Sequence, residues 1–387
     1  MVTAHLACVV CSTPSGAPIY RNDEVSVSST GRSFAASTVV YACAACGHAQ
    51  TPPVDNIEGY YDSAYRVHLE SDDADDLYDQ RDGKPVYRNE HQADIALQKL
   101  DLRQSATVLD YGCGKGRSLR ALLKQRPDIA GSVFDVSDAY RAKWDEFIPR
   151  ERQATYVTPP DWAQHFDVVL AFFALEHVAG PREFLLNVRA LLHEGGILHA
   201  IVPNVRQNPG DLIVVDHVNH FSPSSLRMLL ASTGFDHVQI DERAHAAAFV
   251  IDARRAAAPP PFVPAPADVA DDVRYARESV ERWATSAAKV TVFEAEVAHG
   301  RKAAIYGSGF YGVFIASHLK DRSNVAYFLD RNPHQQAKSI FDLAVRPPHD
   351  IEDDVEVVYV ALNPLKAREI AAGIEPLHRV ERDFFYL

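Results

Sequence analysis

Between Thr107 and Val202 the sequence alternates short apolar strands with helical stretches, and this rhythm constrains the fold more than any other feature. Strands are expected over 107–111, 131–135, 167–172 and 196–202, with helices over 117–126 and 181–193. An amphipathic helix over 88–103 precedes them, with Ile95, Leu97, Leu100 and Leu102 as its apolar positions. The order predicts an α/β fold built on a doubly wound parallel sheet. Ligands of such sheets bind at the carboxyl ends of the strands.

The chain has 387 residues, enough for two or three domains. Residues 1–54 hold two cysteine pairs and β-rich stretches such as 34–41. Residues 55–254 carry the alternating pattern, after an acidic run over 70–82 that reads as a solvated face. Proline and alanine dominate 255–267, which predicts a stiff linker. Over 268–387 a long helix (268–297) leads into strands at 302–306, 325–330 and 355–360, a small open sheet of its own. With 39 basic against 52 acidic residues, the net charge of −13 argues against a general nucleic-acid binder. No apolar run approaches the roughly 18–20 residues that cross a bilayer, and no signal-peptide core opens the sequence. The expected location is cytoplasmic, with neither nucleic acid nor membrane as partner; oligomeric state is not legible.

Four of the five cysteines form two pairs, Cys8-x-x-Cys11 and Cys43-x-x-Cys46. In a reducing compartment this spacing predicts metal before disulfides. Four thiolates on two tight turns make a closed tetrahedral zinc site with no open position for water, hence a structural role.

The strand at 107–111 runs into Asp110-Tyr111-Gly112-Cys113-Gly114-Lys115-Gly116 and then a helix. No G-K-[ST] follows, so this is not a phosphate loop, and the G-x-G-x-x-G spacing of dinucleotide folds is missing. Asp110 before the loop suits a cationic ligand, an amine or a sulfonium. Asp135 ends the next strand, where a carboxylate can take both hydroxyls of a ribose. The loop resembles the acidic-x-G-x-G-x-G hallmark of S-adenosylmethionine-dependent methyltransferases. Phe166-Asp167-Val168-Val169, Glu176-His177 and the turn Leu192-His193-Glu194-Gly195-Gly196 fit the same order. The resemblance implies a Rossmann-like core that binds S-adenosylmethionine through Asp110, Gly112, Gly114, Gly116, Asp135 and Phe172.

After the fifth strand comes Val214-Val215-Asp216-His217-Val218-Asn219-His220-Phe221-Ser222. A histidine beside a carboxylate at the sheet's carboxyl edge is a candidate general base, because its pKa sits near working pH. The alternative is a structural histidine capping Ser222-Pro223-Ser224, itself a helix N-cap signal. The whole order resembles nucleotide-sugar C-methyltransferases of deoxysugar biosynthesis: a zinc module, a methyltransferase core and a C-terminal Rossmann-like domain. The likeness implies His217 as base, Asp216 as its partner, His177 as a sugar contact, and Asn219 and His220 near the substrate. Three positions depart from the pattern. Val214 stands where a tyrosine is expected, Asp216 where a glutamate is, and His220 replaces an aromatic. O- or N-methylation of a related nucleotide sugar therefore stays open.

Gly307-Ser308-Gly309-Phe310-Tyr311-Gly312 satisfies G-x-G-x-x-G between a strand and a helix, and Asp330 ends the following strand. Read alone, it suggests NAD and an oxidoreductase. No dehydrogenase-type constellation follows it, and the resemblance implies instead that Gly307, Gly309 and Tyr311 help hold the nucleotide of the sugar. A non-catalytic scaffold of zinc and Rossmann modules is the third class in view.

Overall fold

The structure is a computed structural model, and it describes residues 6–23, 25–29, 31, 33, 34, 36–53, 77–81, 84–258, 261–336 and 338–387. The greater part of the acidic run over 70–82 lies outside these residues. Two large sheets organise the fold, and their strands are labelled β1–β13 in chain order. The first holds β1 (Thr107–Tyr111), β2 (Ala130–Asp135), β3 (Gln153–Thr155), β4 (Phe166–Phe172), β5 (Leu192–Pro203), β6 (Phe235–Asp241) and β7 (Ala248–Arg255). Their spatial order is 3-2-1-4-5-7-6. Strands 3, 2, 1, 4 and 5 run parallel, while β7 pairs antiparallel with both β5 and β6. The order reverses on either side of β1 and β4, which places the ligand crevice between their carboxyl ends.

Helices cover both faces, as central parallel strands require. Helix Arg88–Lys99 stops before Leu100, which is already extended, so it is shorter than the expected 88–103. Ala93, Ala96, Leu119 and Leu122 pack with Val108, Val133 and Leu170 into one core. On the other side Leu185, Val188, Leu226 and Leu229 pack with Leu109, Val169, Leu198 and Ala200. The strand expected over 196–202 begins earlier, because Leu192 pairs with Phe166 across an irregular register that absorbs the glycine turn.

The N-terminal cysteine segment does not stand apart. Tyr20–Asn22, Thr38–Ala42 and Ala49–Gln50 form a small sheet, completed by Asn219–His220 from the segment after β5. The long helix spans Pro266–Phe293 and ends in a π turn over Glu294–Ala298. It takes the last proline of the expected linker, Pro266, since proline fits the first helical turn. The second large sheet has six strands: β8 (Ala303–Tyr306), β9 (Val325–Leu329), β10 (Ser339–Ile340), β11 (Leu343–Arg346), β12 (Val357–Val360) and β13 (Asp383–Tyr386). Its order is 10-11-9-8-12-13, and β8, β9, β11, β12 and β13 run parallel. Among the described residues, no helix is long and apolar enough to cross a membrane.

Candidate active site

The first glycine loop joins β1 to helix Arg117–Gln125 at the crevice. Gly112, Gly114 and Gly116 all take the left-handed conformation, with φ of +79°, +51° and +68°. At Gly112 a side chain would also lie 3.0 Å from Ala174 Cβ, so the loop packs directly on the segment after β4. The amides of Gly112 and Cys113 donate to the Phe134 carbonyl, and the Trp144 indole donates to Gly114 O at 2.8 Å. The Asp135 carboxylate accepts the Gly114 amide at 2.8 Å and the Ser137 amide at 3.1 Å, one on each oxygen. A carboxylate has about four lone-pair sites, so each oxygen keeps one for a ligand hydroxyl. Burial, followed by the nearby Asp135 charge, pushes Asp110 up to about 7. Two buried carboxyl groups beside an open glycine loop favour a cationic ligand, which would let both ionise. Phe172 lies half-buried at the end of β4, edge-on to His199 at 5.7 Å.

The histidine segment follows β5. His217 Nδ1 lies 2.6 Å from Asp211 Oδ1, not on the Asp216 carboxylate expected from the sequence. Asp216 faces away: its two oxygens accept the Ser29 amide and the Ser29 hydroxyl, each at 2.7 Å. Asp216 sits in a turn closed by the His217 amide on the Val214 carbonyl, and Asp211 comes back to the ring from the preceding turn over Pro209–Ile213. His177 Nδ1 lies 2.9 Å from the Asp216 carbonyl, and its ring meets that of His217 edge-on at 4.6 Å. A carbonyl and a carboxylate can only accept, so both rings carry the proton on Nδ1. Ser222 caps its own helix through the Ser225 amide at 3.2 Å, so His217 is not a capping group.

Burial alone would depress His217, but the Asp211 carboxylate prevails and raises it to about 9. Asp211 is held well below the usual carboxylate range despite its burial, chiefly by the charge of His217. His177 drops to about 4 through burial and the nearby His217 charge, so it is neutral. Glu176 is fully buried, neither of its oxygens has a hydrogen-bond partner among the described residues, and burial lifts it to about 8. Glu176, His177 and His217 each offer an atom within 4.8 Å of the others. Asn219 and His220 are brought to this cluster as buried supports, with no polar atom left for a substrate. The Asn219 amide donates to Leu175 O and Val178 O and accepts from His48, while His220 lies between Thr51 and Asp211.

The second glycine loop adjoins the Asp211 turn. The Tyr311 hydroxyl donates to Asn208 Oδ1 at 2.7 Å, and the Trp283 indole to Pro209 O at 2.8 Å. Tyr311 is thus committed to packing, as is Gly307, where a Cβ would collide with Ala361 O at 2.1 Å. Only Gly309 of the three expected contacts faces open space. Asp330 Oδ2 already accepts both the Ser308 amide and hydroxyl, and Oδ1 the Asn332 amide, so the fingerprint acid grips its own loop. In the N-terminal segment Cys8 Sγ lies 3.6 Å from Cys46 Sγ, and Cys11 Sγ 3.5 Å from Cys43 Sγ. All four sulfurs lie within 4.8 Å of one another. Zinc–sulfur bonds of ~2.3 Å set tetrahedral edges of ~3.8 Å, so this set could hold a structural zinc ion.

Asp211, Ser29 and Thr51 carry no motif of their own, and Glu176 entered only as part of Glu176-His177. Asp211 had one usable signal, a carboxylate in a Pro-Gly turn six residues before His217. The others come together only through the fold.

Residues 87–240 match a family described as a methyltransferase domain. The trans-aconitate 2-methyltransferase of Variovorax paradoxus is 31% identical over 118 residues, 29% of this chain and 44% of that protein. The cyclopropane mycolic acid synthase MmaA2 of Mycobacterium tuberculosis is 29% identical over 132 residues, 32% of this chain and 44% of that protein. The chain thus spans less than half the length of these curated relatives. A SAM-dependent methyltransferase from Archaeoglobus fulgidus superposes with a TM-score of 0.36 at 16% identity, over 44% of this chain and 95% of that one. Residues 87–240 thus resemble a methyltransferase domain, and strands β1–β5 of the first large sheet lie within them.

Proposed function

We propose that the protein is an S-adenosylmethionine-dependent methyltransferase that methylates carbon in a nucleotide-activated keto or deoxy sugar, with His217 as general base. The observation that carries this reading is the His217–Asp211 pair, beside a glycine loop built for a cationic, ribose-bearing ligand. When bound there, S-adenosylmethionine supplies the methyl group. Asp135 would take its ribose hydroxyls and Asp110 would face its positive charge.

The chain's own residues supply the proton chemistry. In the neutral ring His217 Nε2, the nitrogen that Asp211 does not hold, takes the proton from the carbon beside the ketone. The C–H electron pair becomes the enolate, whose carbon would take the methyl group of bound S-adenosylmethionine as the S–C electron pair stays on sulfur. A carbon acid is weak, so a base raised to about 9 gives a better driving force than an ordinary histidine. Asp211 stabilises the imidazolium that forms, and Glu176, neutral at pH 7, does not compete for that charge. Gly309 would sit against the nucleotide, at the start of helix Phe310–His318.

Val214 favours a second reading. It is buried at 4% exposure and offers no hydroxyl beside the base, where the resemblance expects a tyrosine. O- or N-methylation of a related nucleotide sugar would use His217 on a more acidic proton and need less enolate stabilisation. Incubation with labelled donor and a panel of dTDP-, GDP- and CDP-sugars tests both readings. Label in a sugar C-methyl group is expected. Label on oxygen or nitrogen selects the second reading, and donor binding without transfer to any nucleotide sugar overturns both.

A further inference from the structure

The cysteine segment reaches the base by a continuous route. Three residues after Cys46, the chain pairs with the histidine segment: Ala49 with His220, and Gln50 with Asn219. The Thr51 amide then donates to the Val218 carbonyl at 3.0 Å. This pairing carries the Thr51 hydroxyl, on a residue 3% exposed, to 3.2 Å from His220 Nε2. The other nitrogen, His220 Nδ1, lies 3.3 Å from Asp211 Oδ2, and Asp211 Oδ1 lies 2.6 Å from His217 Nδ1. Thr51, His220, Asp211 and His217 thus form one chain of hydrogen bonds, each member buried.

We propose that Thr51, delivered by the cysteine segment, is a positioning residue that fixes the tautomer of His220 and, through Asp211, the orientation of His217. The argument is one of donors and acceptors. Asp211, ionised, accepts only, so His220 must donate from Nδ1, which leaves Nε2 a bare lone pair in the neutral ring. Only a donor can satisfy that lone pair, and the Thr51 hydroxyl is the donor in reach. Burial holds His220 below its ordinary range, consistent with a neutral ring. Asp211 alone favours the Nδ1–H tautomer, but without the hydroxyl that tautomer leaves its Nε2 lone pair buried and unpaired, so a share of His220 moves its proton to Nε2. Its Nδ1 lone pair would then face the Asp211 carboxylate and push it off the line to His217. The titratable groups facing His217 itself are Asp211, Asp216, Glu176, His177 and His220.

The inference builds on His217 as base but is tested without a substrate, by nitrogen NMR of the full chain labelled in its histidines. At pH 7, His220 is expected as the Nδ1–H tautomer alone, with a strongly deshielded His217 Nδ1 proton. Thr51→Val should turn His220 into a mixture of tautomers and move or broaden the His217 signal, with zinc content unchanged. Thr51→Ser should restore both signals. A wild-type His220 protonated on Nε2 overturns the proposal, even if the valine variant fails to fold. Unchanged signals in Thr51→Val overturn it as well. Intact signals together with full turnover in His217→Asn would overturn the base assignment alone.

Discussion

His217 Nδ1 and Asp211 Oδ1 stand 2.6 Å apart, both groups buried, across a turn that Trp283 and Tyr311 hold in place. The relationship makes Asp211, not the adjacent Asp216, the group that stabilises an imidazolium at His217. Asp211→Asn should therefore cut turnover by about 10²-fold or more, since an amide can present its N–H to Nδ1 and force the wrong tautomer. Asp216→Asn removes acceptors from Ser29 and leaves the His217 pair intact, so its loss should be smaller. Steady-state rates of the two variants decide the order.

The same pair sets a pH profile. A base raised to about 9 is mostly protonated at pH 7, so kcat/KM should rise about tenfold per pH unit and level near pH 9. In Asp211→Asn the stabilising charge is gone and burial remains, so the bend should move to lower pH. A profile already flat from pH 6 in the wild type would contradict the assignment.

The sheet was largely legible because strands β1, β2, β4 and β5 are apolar runs broken by glycine turns, a local pattern. The loop from Asp110 to Gly116 was equally local. Asp211 was not, since the nearer carboxylate in sequence was Asp216, and only backbone direction decides which of them reaches the imidazole. Strand β13 (Asp383–Tyr386) was missed because a short edge strand has no turn signal to bracket it. The use of Asp330 on Ser308 was hidden for another reason. A fingerprint gives the position of an acid and not the number of its lone pairs already filled.

Donor binding tests Asp135. Its two oxygens keep one lone-pair site each, and Asp135→Ala removes both while freeing the Gly114 amide. Donor affinity should fall by about 1.5–3 kcal/mol, the scale of hydrogen bonds to a charged group, with zinc content unchanged. Calorimetric titration with S-adenosylmethionine measures it; an unchanged Kd would mean the loop serves another ligand.

Zinc comes next. Cys43→Ser replaces one of four sulfurs, and because metal binding free energy is also folding free energy, the small sheet reaching Asn219–His220 should loosen. Metal analysis should find about one zinc per wild-type chain and much less in the variant. Less than about half an equivalent in untreated protein would count against four thiolate ligands.

The last test separates the base from the acceptor atom. His217→Asn keeps a polar side chain but cannot take up a proton at neutral pH, so turnover should fall by roughly 10²–10⁴ while donor and sugar still bind. If the acceptor is carbon, the wild type should also exchange the sugar's α-proton with heavy water, because removing that proton precedes methyl transfer. The variant should not. Methylation of oxygen or nitrogen would show the same loss of turnover with no exchange at carbon in either protein. Near wild-type turnover in His217→Asn would remove the base role from His217. His177 would not readily take it over, since a neutral ring lowered to about 4 is a far weaker base.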